Sequence, residues 1–226
     1  MRAAIARRMS QSKREAPHFY VSAEFGMGNV VAFLSDIARR ENGSTPLTVT
    51  AVLLKACAVA LRSHRRLNAV WQEGEPVGAE HVNLGVAISL EDGLIAPALI
   101  RADELSLVEL GEALSDLVAR TRAGRLRPDE ISEATFTLTN LGMFDVTSFT
   151  AIINPPQVAI LAVGRTVERL RVFDGEPRVT PVLTATLSAD HRAVDGADAA
   201  RFLETMKALL DSPQSLDEPA TKEAIR

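Results

Sequence analysis

The hydropathy pattern divides the chain into segments of two periods. From Thr48 to His64 the apolar positions Val49, Val52, Leu53, Ala56 and Ala60 recur at three- and four-residue spacing, which puts them on one face of a core-packed helix. In NLGVAISL, Leu84, Val86, Ile88 and Leu90 stand at every second position, the period of a strand. Asp92-Gly93 then supplies a turn before a second extended run, LIAPALI, so the two runs are expected to form a hairpin. Ser106 and Glu109 fit a capping box. Leu107, Leu110, Leu114, Leu117 and Val118 continue at helical spacing to about Ala123, with Gly124 and Pro128 as stop signals.

Strand period returns in ATFTLTN, QVAILAV and PVLTATLSA, the last with Pro181, Leu183, Ala185 and Leu187 on one side. A final amphipathic helix offers Ala199, Phe202, Leu203, Met206, Leu209 and Leu210 to a core. The order predicts an α/β fold, a mixed β-sheet covered by helices. Residues 1–16 are expected as an N-terminal arm or helix, and residues 212–226, polar and with two prolines, as a mobile tail. No internal repeat or low-complexity linker interrupts the chain.

Composition narrows the function classes. A length of 226 residues suits one domain, residues 1–226, rather than two. With 46% hydrophobic residues, 24% charged and a net charge of -4, there is no basic excess to hold a phosphate backbone, which argues against nucleic acid. The first fourteen residues are basic and acid-free (Arg2, Arg7, Arg8, Lys13, Arg14), like a transit peptide, but no apolar core or cleavage site follows. No run of about 18 apolar residues is present to span a membrane. The lone Cys57, inside TAVLLKACAVAL, reads as a buried small hydrophobe compatible with a reducing compartment. No His/Cys set has metal-ligand spacing, so no metal is expected.

The densest chemistry lies in LSADHRAVDGADAARF, where His191 and Asp195 stand four residues apart between a strand and a helix. A strand end aims side chains into a cleft. An imidazole with an ordinary pKa near 6.5 accepts a proton near neutrality, and a thiol titrating near 8.5 is within its reach. His191 is the candidate general base. Taken alone the spacing is weak, since a histidine beside a turn is more often structural.

The stretch resembles the DHRxxDG signature of the dihydrolipoamide acyltransferases, whose spacing chloramphenicol acetyltransferases and peptide-synthetase condensation domains share. IARRM, PHFYVSAE, LLKACAVAL with LNAVW, NLGVAISLEDGLIAPAL, FTLTNLGMF and INPPQVAILAVG are also similar to segments of that family, in family order, from Arg7 to about Leu210. The resemblance implies a chloramphenicol-acetyltransferase-like fold and acyl transfer, most simply of acetyl, between dihydrolipoamide and coenzyme A in a 2-oxo acid dehydrogenase complex of the pyruvate type. It implies that His191 is the base, that Thr139 donates a hydrogen bond to the oxyanion, and that Asp195 orders the site through an ion pair with Arg7 or Arg8. On the residues alone, Thr139 is one of three threonines in ATFTLTN, good strand formers, and Asp195 reads as a helix cap. Asn140 and Asn154-Pro155-Pro156 match positions that shape the cleft, and His18 a segment near the lipoamide entrance.

The resemblance further implies a homotrimer whose active sites lie between chains. Lipoyl domains would supply the lipoyl group, with the decarboxylase and dihydrolipoamide dehydrogenase components as partners, in the cytoplasm of a bacterium or the mitochondrial matrix of a eukaryote. Lipoyl and peripheral-subunit-binding segments are absent, which fits either a separated catalytic domain or a core served by lipoyl groups on other polypeptides. Asp145 stands where the family has glycine, so a positive-φ turn is expected there or is altered. Leu216 stands nearly alone where cage-forming relatives carry a leucine-rich tail, so trimers without a cage are expected. A core-like scaffold without activity, a branched-chain acyl specificity and a small hydroxyl acceptor remain as alternatives.

Overall fold

The computed structural model describes residues 2–40, 47–173 and 175–217. An N-terminal helix α1 (Arg2–Glu15) leads into β1 (His18–Gly26) and helix α2 (Gly28–Arg40); α3 (Val49–Ser63) follows. Thr48 caps α3 by accepting a hydrogen bond from the Ala51 N–H at 3.2 Å, and His64 closes it, the bounds the apolar spacing predicts. A hairpin of β2 (Ala69–Gln72) and β3 (Glu75–Gly78) turns at Glu73 and Gly74, both at positive φ (51° and 92°), as two-residue hairpin turns demand.

The expected hairpin forms, but in two pieces. β4 (Leu84–Val86) pairs with β7 (Ala98–Leu99), and β5 (Ile88–Leu90) with β6 (Gly93–Ile95). Their register is continuous, Leu84 opposite Leu99 and Ile88 opposite Ile95, and it breaks at Ala87 and Pro97. Proline brings no N–H to a ladder. The Ala87 N–H instead donates to the Leu138 carbonyl at 3.2 Å, stitching the hairpin to the main sheet.

Helix α4 (Leu107–Arg122) begins at the capping box of Ser106 and Glu109 and ends before Gly124, at φ 67°. Pro128 does not end a helix; it starts the short α5 (Pro128–Ser132), where its fixed φ is favourable at the first position. β8 (Phe136–Asn140) runs parallel to β4 and to β9 (Ala159–Phe173). β9 forms a long antiparallel pair with β10 (Glu176–Asp190), and β10 pairs with β1. The six-stranded sheet has the order β1-β10-β9-β8-β4-β7, mixed as expected. Helix α6 (Gly196–Asp211) is the last α-helix among the described residues.

One sheet face, with Phe136, Leu138, Leu161, Val163, Ala185 and Leu187, joins the apolar sides of α3 and α6 in a single core. Strand alternation turns Thr137, Thr139, Thr186, Ser188 and Asp190 to the other face. That face is covered by α1 and by the irregular segment after β8. Ser12 donates to the Ile153 carbonyl at 2.7 Å, and Gly164 meets the segment so closely that a Cβ there would lie 2.0 Å from the Thr147 carbonyl oxygen.

Two expectations change. The chain after α6 does not leave the domain at residue 212: a 3-10 turn, Pro213–Leu216, buries both named residues, Leu216 fully, because that side chain completes the core against α3 and α6. The remainder of the expected tail, residues 218–226, lies outside the described residues. Asp145 takes no positive φ; it projects to Arg165 at 2.5 Å while the Arg165 N–H holds the Val146 carbonyl at 2.8 Å.

Candidate active site

His191 sits in the turn between β10 and α6, exposed on the surface of this chain. Its N–H donates to the Pro17 carbonyl at 3.0 Å, and its ring lies 4.7 Å from that of Phe19, tilted by 50°. Asp195, four residues on, is the N-cap of α6 and accepts from the Asp198 N–H at 2.8 Å. Asp198 is in turn held by Arg66 at 3.2 Å and Arg201 at 2.7 Å. The helix-cap reading of Asp195 is therefore what the geometry shows. Neither Arg7 nor Arg8 pairs with it within the described residues of the chain; the Arg8 guanidinium donates to the Pro155 carbonyl.

Thr139 lies on β8, 7% exposed, at the wall of a cavity of about 520 Å³. Three threonines share this strand face, and the structure separates them. Thr135 donates to Asn68 at 2.6 Å and Thr137 to Gln157 at 2.6 Å, so both hydroxyls are spent on buried amides. The Thr139 hydroxyl makes no hydrogen bond among the described residues and faces the cavity. Apart from Thr137 and Thr139, the walls are largely apolar (Ile5, Leu94, Pro97, Phe149, Ile152), with Arg8 the one charged side chain among the described residues and Asn154 also in the lining. An apolar hollow with a few convergent polar groups suits a small-molecule arm.

The other expected residues have structural partners. Asn140 donates to the Thr50 hydroxyl at 3.0 Å and accepts from the Gly142 N–H at 2.7 Å, tying the end of β8 to α3. His18 uses both ring nitrogens: Nδ1 donates to the Ala16 carbonyl at 2.8 Å and Nε2 accepts from the Ile153 N–H at 3.1 Å. That arrangement needs the neutral imidazole, and burial, the largest influence, holds its pKa below the ordinary value. His18 thus tethers the cavity wall to the strand beside His191.

Within one chain Thr139 and His191 are far apart. Thr139 is level with Ala162 on β9, which is level with Thr186 on β10, and His191 lies five residues beyond Thr186. At strand spacings this is about 16 Å along the strands and about 10 Å across them, or roughly 19 Å in all. Sequence reasoning missed two neighbours, Arg192 and Trp71, which stack beside His191 with a guanidinium-to-ring distance of 4.0 Å; nothing in their spacing signals it.

Residues 1–217 match the model of the 2-oxoacid dehydrogenases acyltransferase (catalytic domain) family. The chain is 39% identical over 217 residues to the dihydrolipoyllysine-residue acetyltransferase component of the mitochondrial pyruvate dehydrogenase complex of Schizosaccharomyces pombe, aligning 94% of itself with 45% of that protein. It thus spans about half the length of such relatives. Among solved structures, a probable dihydrolipoamide acetyltransferase from Listeria monocytogenes superposes with a TM-score of 0.88 at 31% identity, covering 100% of this chain and 94% of that one. The dihydrolipoamide acetyltransferase of Azotobacter vinelandii superposes equally well (0.88, 31%, 95% and 89%). A serine, a histidine and an asparagine have been investigated in the catalytic mechanism of that enzyme, with the same sequence separations as Thr139, His191 and Asp195 here. Chloramphenicol acetyltransferase, at 12% identity and a TM-score of 0.60, shares the fold. The chain belongs to the family of 2-oxoacid dehydrogenase acyltransferase catalytic domains.

Proposed function

We propose that this chain moves an acyl group, acetyl first, between dihydrolipoamide and coenzyme A as the catalytic core of a 2-oxo acid dehydrogenase complex of the pyruvate type. The observation that carries the reading is the free hydroxyl of Thr139 in an apolar cavity, on a chain whose family is acyltransferase. The acetyl assignment is supported by the names its relatives carry.

His191 takes the proton of the coenzyme A thiol, and the sulfur adds to the carbonyl carbon of the acyl-dihydrolipoamide thioester. The negative charge that develops on the carbonyl oxygen accepts a hydrogen bond from Thr139. Collapse breaks the bond to the dihydrolipoyl sulfur, which receives the proton back from His191. A positioned base contributes roughly 10²- to 10⁴-fold, and one oxyanion donor about 10²- to 10³-fold. Asp195 caps α6 and so fixes the turn that carries His191.

Both groups must touch one tetrahedral centre, and roughly 19 Å within a chain forbids it. That separation supports a shared site, in which His191 of one chain faces Thr139 of its neighbour in a homotrimer. Lipoyl domains deliver the lipoyl arm, and the decarboxylase and dihydrolipoamide dehydrogenase components complete the cycle, in the cytoplasm of a bacterium or the matrix of a mitochondrion. Leu216 is buried in its own protomer and is not available as a plug between trimers, which favours the trimer as the stable unit. Light scattering at low micromolar concentration should give a trimer mass; a stable cage-sized particle would overturn that part.

Mixing subunits tests the whole. His191→Ala and Thr139→Ala are each expected to lower coenzyme A-dependent acetylation of dihydrolipoamide by about 10²-fold or more, with Thr139→Ser retaining much of the rate. Co-assembled from equal parts of the two Ala variants, about a quarter of the interfaces regain both groups in a cyclic assembly. Recovery to about that fraction supports a shared site. Mixed trimers with no recovery refute it.

A further inference from the structure

The residues on either side of His191 form an ion pair that the transfer mechanism does not use. Asp190 ends β10 with its side chain 2% exposed. Its Oδ1 accepts from the main-chain N–H and the Nε of Arg192, each at 3.0 Å, and its Oδ2 accepts from Nη2 at 2.6 Å. The same guanidinium lies over the Trp71 ring, 4.0 Å from its centre, and the Trp71 main-chain N–H donates to the Pro156 carbonyl at 2.6 Å. Carboxylate and indole together leave the planar fork little freedom, a geometry that lysine does not reproduce.

Asp190 carries its charge beside an imidazole. His18 is its partner across β1; there burial and the bond to Ala16 act more strongly, but the carboxylate favours a proton on the ring. His191 is the next residue in the chain. An uncompensated carboxylate beside it would hold a proton on its ring, and a general base must arrive without one.

We propose that Arg192, braced on Trp71, is a positioning residue for His191: it cancels the charge of Asp190 and fixes the turn that presents the imidazole to its thiol. This rests on His191 being the base. The other ionisable groups around the turn are Lys13 and Glu15 on α1, His18 and Tyr20 on β1, Arg65 and Arg66 after α3, and Asp195 and Asp198 at the start of α6. Arg66 and Asp198 already neutralise each other, at 3.2 Å.

The test is a charge cycle on the assembled protein: Arg192→Met, Asp190→Asn, the double variant and Arg192→Lys. The ring proton of His191 is titrated by NMR in histidine-labelled protein, where four histidines are resolved and His191→Gln identifies the signal; kcat/KM is followed against pH in parallel. Arg192→Met should move the His191 midpoint up by about one pH unit, with a corresponding tenfold loss of kcat/KM on the acid side. Asp190→Asn should move it down, and the double variant and Arg192→Lys should return it close to the parent. Because the single variants shift it oppositely, either one that folds decides the matter. Midpoints that stay fixed in a folded single variant, or a double variant shifted as far as Arg192→Met, overturn the proposal. The NMR midpoint does not depend on turnover, so an active His191→Ala variant would refute the base assignment separately.

Discussion

Asp195 can be separated into a cap and a charge by two substitutions. Its carboxylate holds the Asp198 N–H at 2.8 Å at the start of the 16-residue α6, whose Ala199, Phe202, Leu203, Met206 and Leu210 are buried. Asparagine caps as well as aspartate, and alanine does not; losing a cap costs about 1 kcal/mol. The negative charge at the helix N-terminus adds roughly 0.3–1 kcal/mol, which asparagine forfeits. Asp195→Asn should therefore cost under about 1 kcal/mol, and Asp195→Ala about 1–2 kcal/mol. For a domain of this size each kcal/mol moves Tm by about 2–4 °C, so the Ala variant should melt roughly 2–8 °C lower and the Asn variant no more than about 4 °C lower. Melting is compared at one protein concentration, because assembly shifts Tm. In the acyl-transfer assay Asp195→Asn should keep turnover within about threefold of the parent, since a cap is all the turn requires. An Asn variant that melts normally but loses more than tenfold in kcat would show that the carboxylate acts by its charge in the assembled site. An Ala variant with unchanged Tm would refute the cap.

His18 should make stability pH-dependent. Its pKa is held below the ordinary 6.5 in the folded chain by burial, so the unfolded chain binds the extra proton first as pH falls. The stabilisation is complete above about 6.5, declines as pH drops below it, and levels off once the folded imidazole is protonated too. Melting curves from pH 7.5 to 5 should show the parent losing stability relative to His18→Gln over that window, a comparison that cancels the similarly lowered His64; parallel curves would contradict the tether. Leu216→Ala should destabilise by about 2–4 kcal/mol, as for a fully buried leucine, and truncation after Asp217 should cost far less than truncation after Asp211. Equal melting of the two truncations would return Leu216 to the tail.

Helices α3, α4 and α6 were legible because each combines a cap residue with an apolar stripe, and β8, β9 and β10 because their alternation separates a core face from a polar one. β1 and α2 were not located by hydropathy, although in β1 the half-buried to buried Phe19, Val21, Ala23 and Phe25 alternate with the exposed Tyr20, Ser22 and Glu24 at strand period. Leu216 misled because one apolar residue among polar ones carries no period. At the site, the signature drew attention to His191 and Asp195, but which threonine kept a free hydroxyl depended on Asn68 and Gln157, distant in sequence. The stacking of Arg192 on Trp71 likewise joins two loops that no local pattern connects.

The pairing of β1 with β10 also governs when the protein can become itself during synthesis. Ser22 and Thr186, which share a hydrogen bond at 2.9 Å, are 164 residues apart. At about 5–20 residues per second, the first strand waits roughly 8 to 33 s for its only sheet neighbour among the described residues to be made. Until then its hydrogen-bonding edge and the side chains of Phe19 and Phe25 have nowhere to go, a long window for off-pathway pairing with other chains. The turn bearing His191 rests on the Pro17 carbonyl at the start of that same strand, so it closes in the same late step. A nascent chain released short of Asp190 would have neither the closed sheet nor the histidine.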